Sequence, residues 1–255
     1  MKYTIRYLKC CKTTGGDNYS GDVQINRTKK KDATINIEEY LANVDYLYEE
    51  KIKKIIPNHS FFFKTIVDFI PEGEKRLFEL GCGTGFITEK VLKARPDLKI
   101  TCIDKSPWML EIIKSKSDLK DVKLLLGDVF QTWPAEKYDI IMTVLNLHHF
   151  NDEDRNKIIK IIYSSLHKDG VFITGDVFKP NNQIEENMYR KKWYDSMKEA
   201  GFEEENAKYM LEMRENAYDS IDTLEGYRKK LRDAGFKNIY CPYTNLIYGI
   251  IVAYK

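Results

Sequence analysis

The sequence predicts an α/β fold: a doubly wound, mostly parallel seven-stranded sheet that ends in an antiparallel hairpin, with an N-terminal helical cover and an inserted helical lid. Three observations predict it. A short apolar run (Leu77, Phe78, Leu80) enters a turn with glycine at 81, 83 and 85, and helix formers follow from Phe86 to Ala94, which reads as buried strand, tight turn and helix start. Strand and helix patterns then alternate, as right-handed crossovers between parallel strands require. Finally, Ile239–Tyr243 and Leu246–Ala253 are apolar runs joined only by Thr244-Asn245, a link so short that the two must pair antiparallel.

The elements follow in order. Residues 1–35 form a separate arm. Tyr3, Ile5 and Tyr7 alternate with polar residues, Thr13 to Asn18 is turn-forming, and Val23–Ile25 reads as a second short strand, so the arm is a β-hairpin or a mobile segment. It carries eight Lys/Arg against two Asp/Glu through Lys31, which reads first as a solvated face. Domain 36–255 begins with a helix over Ile37–Ile56, stopped by Pro57, and a second over Phe61–Phe69. Strands are expected at Leu77–Leu80, Ile100–Ile103, Val122–Leu126, Tyr138–Val144 and Val171–Asp176. Helices are expected at Phe86–Ala94, Pro107–Ser115 and Asp152–His167, the last stopped by Lys168-Asp169-Gly170. An insertion from Lys179 to about Tyr218 carries Met188, Tyr189, Trp193, Tyr194, Met197, Tyr209, Met210 and Met213 at helical spacing. Such stripes describe amphipathic helices, and their place after the fifth strand suggests a lid over the sheet's C-terminal edge. A final helix runs to Ala234-Gly235.

Composition narrows the class. The chain has 255 residues, 43% hydrophobic and 31% charged, with net charge +2: a globular protein with no global signature of nucleic-acid or membrane binding. No apolar run approaches the length of a membrane span, and the N-terminus lacks a signal-peptide core. Five scattered cysteines without C-x-x-C pairing fit a reducing cytoplasm. The four histidines (59, 148, 149 and 167) have no third ligand spaced for a metal, so none is expected.

The glycine turn, Glu79-Leu-Gly-Cys-Gly-Thr-Gly85, points to a nucleoside-containing cofactor. Glycines allow positive φ and close backbone approach, and the helix start offers unpaired N–H groups. The dinucleotide fingerprint fails, because the sixth position from Gly81 is Phe86, and a phosphate-binding loop fails for want of Gly-Lys-Ser/Thr. Cys82 reads as a small side chain in the turn; no base is spaced to activate it as a nucleophile. Asp104 ends the second strand nineteen residues past Gly85, where a carboxylate can accept from ribose hydroxyls. Asp128 and Val129 follow the third strand, and Leu145-Asn-Leu-His-His149 the fourth.

An acidic residue two before G-x-G-x-G resembles motif I of the class I S-adenosylmethionine (SAM)-dependent methyltransferases, and the resemblance extends over about residues 40–255. It implies that Glu79 organises the methionine end, that Gly81, Cys82, Gly83 and Gly85 admit the cofactor, and that Asp104 with Lys105 receives the ribose. It further implies that Asp128 and Val129 hold adenine; Trp108 and Met109 either pack on its other face or belong to the helix core. Leu145 and Asn146 stand where the family's motif IV carbonyl takes the methionine ammonium. A tyrosine of the first helix, Tyr46 or Tyr48, would close over the cofactor carboxylate. His148 or His149 can act as proton acceptor, at most one facing the substrate, and a structural role closing the pocket competes. Leu-x-His-His in place of Asn-Pro-Pro-Tyr counts against DNA or RNA amine methylation.

The expectation is a cytoplasmic SAM-dependent methyltransferase acting on a small-molecule acceptor and releasing S-adenosyl-L-homocysteine. DNA and membranes are not expected as partners, and a homodimer is open. The competing readings are a tRNA-modifying enzyme using the basic arm and a non-catalytic SAM-binding regulator.

Overall fold

The computed structural model describes residues 48–255. The arm over 1–35, the start of the first predicted helix and Tyr46 lie outside the described residues.

The sheet has seven strands: β1 (Arg76–Leu80), β2 (Lys99–Asp104), β3 (Lys123–Leu126), β4 (Tyr138–Val144), β5 (Leu166–Val177), β6 (Asn238–Asn245) and β7 (Tyr248–Tyr254). Their order is β3-β2-β1-β4-β5-β7-β6. The first five pair in parallel, while β7 runs antiparallel to both β5 and β6. The helices are α1 (residues 48–55 of it), α2 (His59–Asp68), α3 (Phe86–Ala94), α4 (Pro107–Ser115), α5 (Asp152–Ser165), α6 (Gln183–Glu199), α7 (Glu204–Asn216) and α8 (Leu224–Ala234).

Alternation along the strands builds two cores. On β1, Leu77 faces a core shared by α1 to α4 and the insertion, whereas Phe78 and Leu80 face one built on α5 and α8. Helices on both faces explain why the central strands are buried on both sides and read as continuous apolar runs. Crossovers leave β1 toward β2 on one side, and the chain returns to β4 on the other. The sheet therefore has its topological switch between β1 and β4, where open α/β sheets bind ligands at the strands' C-terminal ends.

Local chemistry sets most boundaries. Ser106 caps α4, accepting from the Met109 N–H, with Pro107 at the first helical position. Asn151 caps α5 by accepting from the Asp154 N–H at 2.8 Å, and Asp152, Glu153 and Asp154 fill its first turn.

Three regions differ from expectation by two residues or more. Helix α2 starts two residues early because Asn58 adopts a left-handed conformation, φ 54°, which re-aims the chain directly after Pro57. Helix α5 ends at Ser165, because buried, extended Leu166 already joins the sheet. The expected stop at Lys168-Asp169-Gly170 is instead a bulge inside β5, where the register jumps from Tyr138↔Leu166 to Ile140↔Val171. The hairpin turn lies at Leu246-Ile247, not Thr244-Asn245. Asn245 still pairs with Tyr248, and Leu246 takes φ 52°.

The insertion folds as α6 and α7, and its stripe packs downward. Trp193, Met197, Phe202 and Ala207 join the core that α1 and α2 share. The Trp193 indole donates to the Ile55 carbonyl of α1 at 2.8 Å. A buried pair, Glu186 with Arg214, ties α6 to α7. Among the described residues, no helix is long and apolar enough to cross a membrane.

Candidate active site

A cavity of about 640 Å³ opens at the C-terminal ends of β1, β2 and β4, within the size range of small-molecule sites. The glycine turn forms its floor. Gly81, Gly83 and Gly85 all hold positive φ, at 65°, 53° and 76°, but they serve different ends. A Cβ on Gly83 would meet nothing within 4 Å, so this glycine leaves open space beside the ligand. A Cβ on Gly85 would lie 2.8 Å from Leu119 and 2.9 Å from Ile113. Gly85 is therefore a packing glycine between the turn and α4, and it does not line the cavity.

Asp104 fastens the turn to β2. One carboxylate oxygen accepts from the Gly83 N–H and the other from the Ser106 N–H, both at 2.9 Å. Each oxygen keeps a second lone pair for a ligand hydroxyl. Glu79, buried at the back of the cavity, accepts from the Thr88 hydroxyl at 2.6 Å and from the Cys102 thiol at 3.7 Å. Burial raises its carboxyl to about 7, opposed by the bonds from Thr88 and Cys102 and aided by the nearby Asp104 charge. At Cys82 a bond with Cys102 pulls the other way, but burial and the Glu79 and Asp104 carboxylates push the thiol up. It is therefore a protonated wall residue and not a nucleophile.

Asp128 presents its carboxylate at the far end, steadied by the Phe130 N–H at 2.8 Å, with Val129 buried beside it. Tyr48 reaches the cavity from α1. Its hydroxyl titrates above the ordinary value, through desolvation and then the Asp104 charge, although the residue is still 37% exposed. Both sides of the Asn146 position are constrained. Leu145 is held at φ 52° with its N–H on the Gly175 carbonyl at 2.8 Å, and the Asn146 amide donates to the Leu80 carbonyl at 3.3 Å. A leucine in this region stores backbone strain at the cavity's edge.

The two histidines separate. His148 turns away and pairs through Nδ1 with buried Asp176 at 2.5 Å, while its N–H reaches the other Asp176 oxygen at 3.2 Å. Burial alone would raise the Asp176 carboxyl, but the His148 charge and hydrogen bond, with the Val177 N–H, carry it below the usual range. His149 lines the cavity, its ring 3.9 Å from that of His148. Desolvation, then the His148 and Lys105 charges, hold the His149 imidazole well below its ordinary value against the pull of Asp176. It is neutral near pH 7, with a lone pair free to accept a proton.

The structure thus brings Tyr48, Glu79, Gly81, Cys82, Gly83, Asp104, Lys105, Asp128, Val129, Leu145, Asn146 and His149 to one cavity. It leaves out Gly85, His148 and Met109. Ser106 and Pro107 start α4 immediately after Asp104, so Met109 sits in the first helical turn with its N–H on the Ser106 hydroxyl, and Trp108 likewise lines no wall. Sequence reasoning missed Thr84 and the aromatic wall of Phe63, Phe86 and Phe150. Phe63 and Phe86 stack edge-on at 4.8 Å, a pairing between separate helices that no spacing rule reveals. Among the described residues, the insertion supplies no wall.

Do these residues suit SAM? The Thr84 hydroxyl is buried in the cavity lining with no partner among the described residues, the mark of a site completed by a polar ligand. The open face at Gly83, the Asp104 carboxylate at the end of β2, and Asp128 beyond it fit a nucleoside with an amino-acid tail.

The cavity lies at the switch point of a Rossmann-like, doubly wound sheet. Residues 77–170 match the family model described as a methyltransferase domain. Malonyl-(acyl-carrier protein) O-methyltransferase of Bacillus anthracis is 31% identical over 98 residues, 38% of this chain and 36% of that relative. Carboxy-S-adenosyl-L-methionine synthase of Nautilia profundicola is 23% identical over 222 residues, 85% of this chain and 94% of that relative. The solved O-methyltransferase family 2 protein from Planctomyces limnophilus, complexed with apigenin, superposes with TM-score 0.58 at 18% identity, over 87% of this chain and 62% of that one. The match thus spans about a third of the first relative, nearly all of the second and under two thirds of the solved chain. Residues 77–170 are thus similar to a methyltransferase domain, and the fold is the one that solved O-methyltransferases share.

Proposed function

We propose that the protein moves the methyl group of SAM onto a neutral small-molecule acceptor, with His149 accepting the acceptor's proton. The observation that supports this most is the division of labour between the histidines. His148 is occupied by Asp176, while His149 presents a neutral imidazole to the cavity. Bound SAM supplies an electrophilic methyl on a sulfonium, displaced in line by the acceptor. The chain's residues hold and orient: Asp104 the ribose, Asp128 the adenine amino group, Glu79 and the Thr84 hydroxyl the cationic and polar methionine end. Orientation and exclusion of water account for much of such catalysis.

Cavity charge favours a neutral acceptor. Glu79, Asp104 and Asp128 line it against Lys105 as the lysine, and residues 185–225 carry twelve Asp/Glu against six Lys/Arg. Both features disfavour RNA. The described cysteines 82, 102 and 241 are free thiols, consistent with a cytoplasmic setting. The near full-length likeness to carboxy-S-adenosyl-L-methionine synthase favours a second reading, in which SAM itself is the modified substrate.

Calorimetry with SAM and S-adenosylhomocysteine, followed by product mass spectrometry across phenol, amine and carboxylate acceptors, separates these readings. A methylated acceptor, lost in His149→Ala, supports the first. A carboxylated SAM, formed when a carboxylic acid that can give up its carboxyl group is added as the source of that carbon, supports the second. Tight binding with no product from any acceptor makes the protein a SAM-binding regulator, and no binding overturns the cofactor assignment.

A further inference from the structure

Arg155 is the largest fully buried side chain of the described residues, 1% exposed, on the first turn of α5. A buried guanidinium persists only when its donors are satisfied, and the partners of this one are informative. Nε donates to the Leu147 carbonyl at 3.0 Å and Nη2 to the Phe150 carbonyl at 2.6 Å. Those two carbonyls bracket the short 3₁₀ turn that carries both histidines, Leu147–His149. The remaining bonds go to the end of the insertion: Nη2 to the Ser220 carbonyl at 2.5 Å and Nη1 to the Asp222 carboxylate at 2.7 Å.

Asp222 is itself a junction. Its other oxygen takes the Lys230 ammonium at 3.0 Å, and its carbonyl takes the Lys179 N–H at 2.9 Å. Lys179 begins the insertion, and its ammonium reaches the Tyr218 carbonyl at 3.1 Å. Both ends of the insertion are therefore pinned together, and one planar cation joins that pin to the histidine turn.

We propose that Arg155 is a positioning residue: it holds the Leu147–Phe150 turn from both ends, so that His149 faces the cavity, and references that turn to the insertion through Asp222. This deepens the reading of His149 as proton acceptor and rests on it for its catalytic consequence. The guanidinium's fixed fork is what the role requires. A lysine keeps the charge but is a single-point donor and cannot hold two carbonyls and a carboxylate together. A displacement of the order of 1 Å at such a turn costs about a hundredfold in rate in well-organised sites.

The test reads the histidines directly and needs no acceptor. The chain has only four, so ¹³C-imidazole labelling gives a spectrum of His59, His148, His149 and His167. In Arg155→Lys the His148 and His149 signals should move. The His149 titration should also rise toward the ordinary histidine range as the ring leaves the wall where desolvation, His148 and Lys105 hold it low against Asp176. His59 and His167 should stay in place. Unmoved His148 and His149 signals with a lowered melting temperature would make Arg155 a fold residue only and overturn the proposal, as would equal movement of all four.

If Arg155→Lys does not fold, Asp222→Asn decides in the same way: movement confined to His148 and His149 supports the link, and none overturns it. Full turnover in His149→Ala would instead sink the proton-acceptor reading while leaving the spectroscopic result standing.

Discussion

Asn146 fills the space that a side chain on Gly81 would need: a Cβ there would lie 2.4 Å from Asn146 Cγ. The glycine at the end of β1 and the asparagine at the end of β4 are thus one feature, packed across the topological switch. Their relation separates two glycines that look alike in sequence. Gly81→Ala must push Asn146 off the Leu80 carbonyl and also hold alanine at φ 65°, a conformation costing roughly 1–2 kcal/mol. It should lower the melting temperature and abolish S-adenosylhomocysteine binding. Gly83→Ala meets no atom within 4 Å and bears only the backbone cost of its own φ of 53°, so it should be destabilised less than Gly81→Ala while its methyl intrudes on the ligand and weakens binding. Equal destabilisation of the two variants in thermal melts would refute the distinction.

Glu79 makes stability depend on pH in an unusual direction. Its folded carboxyl titrates near 7 against an ordinary 4.5, so the folded state binds more protons than the unfolded one between those values. The protonated form is the better folded one. Its contribution is fully present below about pH 4.5 and is lost as pH rises through about 7, by about 3 kcal/mol for a rise of that size. Glu79→Gln should flatten the melting temperature between pH 5 and 8 and melt above the wild type at pH 8. Binding of cationic SAM should show the reverse slope, tightening in the wild type as Glu79 ionises and losing that pH dependence in the glutamine variant.

What the sequence reveals follows from how locally each feature is specified. Strand β1, the three glycines and the helix starts at Pro107 and Asp152 are readable because a few adjacent residues determine them. Alternation of elements and the short C-terminal link likewise determine a doubly wound sheet with an antiparallel end. Gly85 and Met109 stand outside the described cavity wall, because motif position fixes the backbone path and not which side of it faces the cavity; Leu119 and Ile113, distant in sequence, claim the face at Gly85. The insertion's stripe was correctly seen as amphipathic, yet its partner, α1, could not be read from period alone. Arg155 was missed altogether, since an arginine in a helix's first turn ordinarily looks like a solvated side chain.

Asp104 should prove to serve both ligand and loop. Its two oxygens already hold the Gly83 and Ser106 N–H groups, so Asp104→Ala removes a ribose acceptor and frees the glycine turn together. Asparagine retains one acceptor oxygen. Calorimetry should show S-adenosylhomocysteine affinity falling by about a hundredfold or more in Asp104→Ala and by about tenfold in Asp104→Asn, at the roughly 1.5–3 kcal/mol of a charge-assisted hydrogen bond. Indistinguishable losses would mean that the turn does not depend on the carboxylate.

Asp176→Asn tests the histidine pair. Asparagine carries no charge and leaves a buried amide facing the His148 Nδ1. Breaking a buried pair of this kind costs about 3–5 kcal/mol, so the melting temperature should fall by several degrees. Because Asp176 titrates below its ordinary range, its stabilisation is present above about pH 3.8 and is lost as pH drops through the lower folded value. The wild type should therefore lose stability more steeply than Asp176→Asn below pH 4. Parallel acid melts of the two proteins would remove the electrostatic role assigned to the pair.

Trp193 decides whether the insertion acts as a brace or as a lid. Its indole is buried, donates to the Ile55 carbonyl and meets Tyr248 edge-on at 6.2 Å. Ile55 lies two helical turns, about 10 Å, from Tyr48 at the cavity, so a loosened α1 end should be felt at Tyr48. Trp193→Phe keeps the ring packing but orphans the carbonyl, which costs about 1–3 kcal/mol. For a brace, stability and S-adenosylhomocysteine affinity fall together, and Tyr48→Phe added to Trp193→Phe weakens binding by less than the sum of the two, because both act at one helix. For a lid, cofactor affinity is unchanged and only the acceptor's KM rises. The packing of Trp193 against α1, with no insertion residue in the described cavity wall, predicts the first outcome.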